Sequence, residues 1–367
     1  MTARLDIALS IAAVAACAAL AAYAAPRGLQ AHALMTTDDP VRIANYGLKQ
    51  TFDAARAQRE IEAALAANDS DLAGSILELA HDREVSVDPA LGKKVAAAVA
   101  DASSGGARAK RFIRGFVTGE PNDGVSLAGT VTGDLFVFGD LRDAAREGVR
   151  LARGEKADEL ILGLACVGIA ITAGTYATGG ITAPVRAGIS LVKAARRSGR
   201  LSAGLAADLG RALRRIVDSG EMKTVVTKAS LGEPSLAIRG AREAVKVDRA
   251  GGLLQLTRDL GRVQSKAGTR ATLDTLRIAE TPRDVSRLAR LAEKEGGKTR
   301  AIIKILGRGA IMLGFAAFDL AAWIFGALLT LFGLVVSLKR AAERITLRII
   351  RHRKARRTAR FTAALAR

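Results

Sequence analysis

Apolar and polar positions are unevenly spread along this chain. Three long apolar runs, Ile7 to Ala25, Leu160 to Val185 and Gly309 to Leu338, stand in a sequence otherwise patterned at helical spacing. Each run is a membrane candidate by length, since about 20 apolar residues cross the roughly 30 Å hydrocarbon layer. Leu48, Phe52, Ala55, Ile61 and Leu65 recur at roughly helical intervals. A polar start at Asn68 to Asp71 precedes Leu72, Ile76 and Leu79 on one face, and a third helix is predicted from Pro89 to Ala102. Leu201, Leu205, Leu209, Leu213 and Ile216 form one stripe, with Arg211, Arg214 and Arg215 off it. The predicted class is all-α: an integral membrane protein with two or three apolar helices plus amphipathic helical regions.

The pattern divides the chain as follows. A signal-anchor or signal peptide occupies 1–25, a helical hairpin region, predicted periplasmic, 26–118, and a Gly-rich turn with an amphipathic helix 119–159. A membrane segment over 160–192 leads to a basic helical region over 193–308, a transmembrane segment over 309–338 and a basic amphipathic tail over 339–367. The N-terminal run admits three readings. It is an uncleaved anchor, a peptide cleaved at the Ala22–Tyr23–Ala24 pattern, or a lipoprotein signal read from Val14 to Cys17. Each sends the chain to the bacterial envelope, and the predicted location is the inner membrane, crossed more than once.

The second run holds no charge from Leu160 to Val185, with Asp158 and Glu159 at one end and Arg186, Lys193, Arg196, Arg197 and Arg200 beyond the other. That asymmetry suits a span with residue 186 on the cytoplasmic side. Gly163, Gly168 and Gly174 suit close helix approach. The alternative is a buried Gly/Ala-rich helix of a soluble domain. The third run is divided by Asp319. A carboxylate inside a membrane suggests a proton or ion relay, whereas a span limited to Leu320 to Leu338 puts Asp319 near one interface.

Charge sharpens this division. Residues 26–159 carry 17 Lys and Arg against 21 Asp and Glu, residues 186–308 carry 27 against 12, and residues 309–367 carry 11 against 2. A sign change at the second run is what a membrane boundary would produce. Three spans, however, would place the basic tail outside, so either the second or the third run fails to cross. Aromatics are only 4%, fewer than a large water-soluble core normally uses. Cys17 and Cys166 lie within apolar runs, and His32, His81 and His352 have no second ligand nearby in sequence, so neither metal nor cofactor is expected.

Few stretches suggest chemistry. AEKEGGKTRA, from Ala292 to Ala301, satisfies a loose phosphate-loop pattern, but it follows a helical stretch opened by Thr281, Pro282 and Asp284 rather than a strand. Gly296 and Gly297 read better as a helix C-cap. Asp134, Asp140 and Asp143 are clustered enough to hold a hard cation, against which Asp140 reads as the N-cap of the helix that follows. The triplet LGR recurs at 209, 260 and 306, hinting at a repeat of helix plus glycine cap.

The run GDLRD, then EG, then a long Gly/Ala-rich apolar helix resembles uncharacterised proteobacterial inner-membrane proteins, and more loosely the pre-toxin segments of polymorphic toxins, over about residues 129–200. The first resemblance implies a membrane location and no defined activity. The second is opposed by a C-terminus that is a basic tail rather than a catalytic domain.

In that tail Arg340, Arg344, Arg348 and Arg351 form a basic stripe beside Ile345 and Ile349. With Arg211, Arg214 and Arg215 they are candidate contacts to the bilayer and its anionic phospholipids. A protein partner or a second copy is a further candidate, while the scarcity of aromatics beside this basic charge argues against nucleic acid. The expected role is a non-enzymatic envelope scaffold or accessory factor. Its rivals are a pore-forming or toxin-translocation protein, an ion-coupled transporter working through Asp319, and an ATP-using enzyme working through Lys298.

Overall fold

Short polar residues start the first helices: Asp69 lies where the sequence predicts a start, whereas Asp53 breaks the expected Leu48–Phe52–Ala55 run into two helices. Asp39, Asp53 and Asp69 each accept a hydrogen bond from a backbone N–H of the first turn, at 2.9, 2.7 and 3.2 Å. They open α1 (Pro40–Thr51), α2 (Ala54–Ala66) and α3 (Ser70–Asp82), and α4 (Pro89–Ser103) follows. The computed structural model describes residues 39–103, 135–175, 183–218, 220–221, 225, 234–312 and 314–365, with scattered helical positions between 12 and 29. It is all-α: among the described residues the only β pairing is an isolated bridge between Val217 and Val245.

Contacts divide the chain into two units, residues 39–312 and residues 1–38 with 313–367. The first continues with α5 (Leu135–Ala152), α6 (Glu159–Thr175), α7 (Ala183–Arg197) and α8 (Ala203–Ile216). It ends with α9 (Pro234–Ala244), α10 (Gly251–Ile278), α11 (Pro282–Glu295) and α12 (Thr299–Leu306). One core joins them, with Ile61 and Leu79, Leu162 and Ile169, Leu191, Leu205, Leu256 and Leu273 essentially inaccessible. The Thr281–Asp284 capping box and Pro282 open α11, as the sequence predicts.

The second apolar run differs from its membrane expectation. It divides between α6, 17 residues long, and the amphipathic α7. Every residue from Leu160 to Ala170 is buried within the unit, against α5, α8 and α9. Hydropathy alone does not distinguish a helix covered by lipid from one covered by other helices. Small residues make the enclosure tight: a side chain on Gly163 would begin 3.2 Å from a Leu213 methyl of α8. On α7, a Cβ on Gly188 would lie 2.7 Å from the Thr257 Cα of α10, closer than atoms tolerate, so this crossing requires glycine. Of the expected two or three membrane helices, one of spanning length is found among the described residues.

That helix lies in the second unit. α13 (Gly314–Leu365) runs unbroken for 52 residues, about 78 Å at 1.5 Å per residue. Its segment Leu320–Ser337 has a mean hydropathy of 2.2 and none of it is buried. Leu328, Phe325, Phe332 and Val335 are all exposed by more than half. The N-terminal run lies in part outside the described residues, and Val14–Tyr23 is its apolar helical stretch. A methyl of Val14 lies 3.9 Å from where a side chain on Gly333 would begin, so the two apolar segments of this unit touch.

Candidate functional site

Asp140 and Asp143, three residues apart on α5, face Lys193 and Arg197, four apart on α7. Helical periodicity puts each pair on one side of its helix. The Lys193 ammonium donates to Asp140 and, at 2.8 Å, to Asp143, whose other oxygen lies 2.5 Å from the Arg197 guanidinium. Lys193, Asp140 and Asp143 are all buried. Gly168 of α6 admits the Asp140 carboxylate, because a Cβ there would collide with it. Asp140 therefore does not cap a helix: α5 begins at Leu135, and Asp140 lies well inside it. Nor do the two carboxylates enclose an open cation position, since an ammonium already bridges them. The third candidate, Asp134, lies outside the described residues.

The electrostatics follow from burial against pairing. Burial pushes Asp140 above its ordinary range despite the Lys193 charge. It would raise Asp143 too, but Lys193 and Arg197 together hold that carboxyl below the ordinary range. Burial alone would lower Lys193; its two carboxylates outweigh this and raise it. The Cys166 thiol of α6 is pushed up to about 12 by burial and by the charge of Asp140. The cluster is a charge-balanced clasp between α5 and α7. A signal for it was present, because Lys193 interrupts an otherwise apolar helical stripe.

The phosphate-loop pattern is a second ionic hub. α11 precedes it, and Gly296 caps that helix with φ +53°, in the region that favours glycine. Lys298 is held by Asp82 at 3.0 Å and Glu295 at 3.1 Å. Ser75 donates to the Gly297 carbonyl and accepts from the Ala301 N–H, occupying the start of α12. Buried Arg300 makes a two-pronged pair with Asp69, both contacts at 2.6 Å, and reaches Asp71 at 2.9 Å and Asp274 at 3.0 Å. It thereby ties α3, α10 and α12 together. Burial would raise Asp69, yet Arg300 and Arg270 hold it below its ordinary range.

A basic groove opens where α8 meets α6. Leu205, Leu209, Leu213 and Ile216 are buried, and Arg211, Arg214 and Arg215 face outward, as the stripe predicts. At the end of α8, the Lys246 N–H donates to the Ile216 carbonyl at 2.8 Å and the Asp218 N–H to the Ala244 carbonyl at 2.9 Å. This fastens Lys246 and Arg249 beside the arginines. They line a cavity of about 590 Å³ together with the buried Leu160, Leu213 and Val217 and the acidic Glu159 and Asp218. An adjoining cavity of about 320 Å³ shares Glu159, Leu160, Gly210 and Arg214 and adds Arg196 and Arg211. Arg196 is paired with Asp158 at 2.7 Å, and Arg211 with Asp208 of its own helix. Among the described residues Arg214 and Arg215 have no carboxylate partner. Sequence reading found these arginines but not Lys246 and Arg249, which only the bridge brings alongside.

In the tail, Arg340 and Arg351 are exposed, while the side chains of Arg344 and Arg348 lie outside the described residues. So does that of Asp319, whose backbone is helical within α13. The LGR triplets are not a repeated cap: Gly210 and Gly261 lie inside helices, and only Gly307 ends one. What repeats is an Asp–Arg pair one turn apart, Asp208 with Arg211 and Asp259 with Arg262. Compared with known proteins, the chain matches no family model, no curated protein and no solved structure.

Proposed function

We propose that this chain is a non-enzymatic scaffold or accessory factor of a bacterial inner membrane, its helical unit anchored by apolar segments at both ends. The supporting observation is α13: an apolar segment with no buried residue, exposed on most of its surface and half-covered along one stripe, continues without a break into a basic helix. An uncovered apolar surface of that extent is stable only in lipid or against a partner. The basic stretch behind it suits the anionic cytoplasmic face. The contact of Val14 with the Gly333 position favours a two-segment anchor. Two crossings leave the basic tail inside and residues 39–312 outside, which removes the topological conflict created by counting three. The buried Asp140–Lys193 clasp and the occupied Lys298 favour a structural role over a catalytic one.

Sidedness tests it. In a Cys17→Ser background, Lys294→Cys at an exposed position of α11 and Arg353→Cys in the tail are treated with a membrane-impermeant maleimide. The expected result is labelling of position 294 in intact spheroplasts, and of position 353 only after permeabilisation. Labelling of both positions under the same condition would show that α13 does not separate them.

A further inference from the structure

We propose that the groove between α6, α8 and the turn at Lys246–Arg249 binds a phosphate ester that carries hydroxyl groups. Arg214 and Arg215 project from the last turn of α8 without carboxylate partners among the described residues, and the Val217–Val245 bridge brings Lys246 and Arg249 to the same opening. Lys246 is drawn only loosely to Asp218, at 3.8 Å, and Arg249 to Asp248, also at 3.8 Å. Guanidinium groups lining one cavity suit phosphate because their paired N–H donors match its oxygens.

The cavity, about 590 Å³, falls within the range of small-molecule sites, and Leu160, Leu213 and Val217 give it an apolar part of its lining. Glu159 and Asp218 in the same lining would repel a bare anion but accept hydrogen bonds from hydroxyls beside the phosphate. That combination selects a polyol phosphate over inorganic phosphate. Two sources present this chemistry: the glycerophosphate head group of an anionic lipid, and a soluble sugar or glycerol phosphate. The inference does not rest on the anchor, because every residue invoked lies within the 39–312 unit.

The test is calorimetric titration of the full chain in a neutral detergent with glycerol 3-phosphate and, separately, with a short-chain phosphatidylglycerol below its micelle concentration. Saturable binding of either probe is expected, with inorganic phosphate weaker. Binding of glycerol 3-phosphate identifies a soluble-ester site, and binding of the lipid alone identifies a head-group site that needs its chains. Arg214→Ala with Arg215→Ala should weaken binding about tenfold or more, as expected when charged hydrogen bonds are lost. Gly210→Leu is an independent probe, because a side chain there meets nothing nearer than the Arg214 Nη1 at 3.6 Å and fills the groove without disturbing the core. Arg283→Ala with Lys294→Ala, exposed cations on α11, should leave affinity unchanged. Thermal unfolding of each variant confirms its fold. Absence of saturable binding by both probes, retention of wild-type affinity in either groove variant, or equal weakening in the α11 control would overturn the proposal.

Discussion

Lys193→Met isolates what the buried clasp contributes. Methionine keeps most of the lysine stem and removes the ammonium, so the packing of the buried stem is nearly preserved. Asp143 retains Arg197 at 2.5 Å, while Asp140 loses the ammonium that bonded it and keeps only the weaker attraction of Arg186. A buried carboxylate without a partner escapes by taking up a proton. Starting from the ordinary aspartate value of 3.8, holding it protonated at pH 7 costs about 1.4 kcal/mol per pH unit, or about 4 kcal/mol. Arg186 recovers part of this, so the expected loss at pH 7 is about 2–4 kcal/mol, in line with breaking a buried pair. At pH 5 the same arithmetic sets a ceiling of about 1.6 kcal/mol, so the deficit must shrink on acidification.

Cys166 supplies the assay. With Cys17→Ser it is the sole thiol, buried on α6 beside Asp140. The rate at which it exchanges with a dipyridyl disulfide in the native protein reports the free energy of opening around the clasp. Asp140→Asn combined with Lys193→Met should recover most of the loss, since no unpaired charge then remains. A deficit under about 1 kcal/mol at pH 7, or one unchanged at pH 5, would refute the reasoning.

Other outcomes follow from the same geometry. Arg300→Lys should cost about 2–3 kcal/mol in urea unfolding, because an ammonium cannot reproduce the two-pronged pair with Asp69 while also reaching Asp71 and Asp274. Asp69 and Asp143 both titrate below their ordinary range when folded, so the stability they contribute is present above the unfolded carboxylate value and is lost as pH falls through the folded one. Acid titration followed by circular dichroism should therefore show unfolding on the acid side of the ordinary carboxylate range, shifted upward in Asp69→Asn. Gly188→Ala should destabilise by about 1–3 kcal/mol through the collision with Thr257, whereas Gly92→Ala, in open space on α4, should be neutral or stabilise by up to about 1 kcal/mol; thermal melts compare the two.

The helices were largely legible because their signals are local. Asp69 before an apolar face, the Thr281–Asp284 box with Pro282, and the Leu205–Leu209–Leu213–Ile216 stripe each depend on residues within a turn or two, and each has the predicted consequence. Contacts distant in sequence were not legible. Arg300 meets Asp69 across 231 positions and Lys193 meets Asp140 across 53, and no spacing rule connects them. For the same reason the GGK stretch looked like chemistry: its lysine is committed to Asp82 and Glu295, and only the fold reveals the commitment.

The second apolar run shows why membrane length and membrane location are separate questions. Leu160 to Ala170 is as free of charge as a span, but the charges that determine its surroundings lie on its neighbours. Asp140 on α5 packs against Gly168, and Lys193 and Arg197 on α7 complete the balance. A helix facing lipid would have no reason to shape a glycine notch for a carboxylate, because a charge there would meet hydrocarbon. α13 differs in that no residue from Leu320 to Ser337 is buried, its fully exposed side chains there are all apolar, and the charges begin only at Lys339. The informative contrast is therefore the partner each apolar face meets, which for α6 is other helices of its own unit. Filling the notch should show this directly: Gly168→Leu should displace Asp140, separate α5 from α6 and accelerate labelling of Cys166. A comparable substitution at Gly326, where a Cβ meets nothing within 4 Å, should leave that labelling unchanged. Equal labelling in the two variants would mean that α6 does not depend on the clasp for its cover.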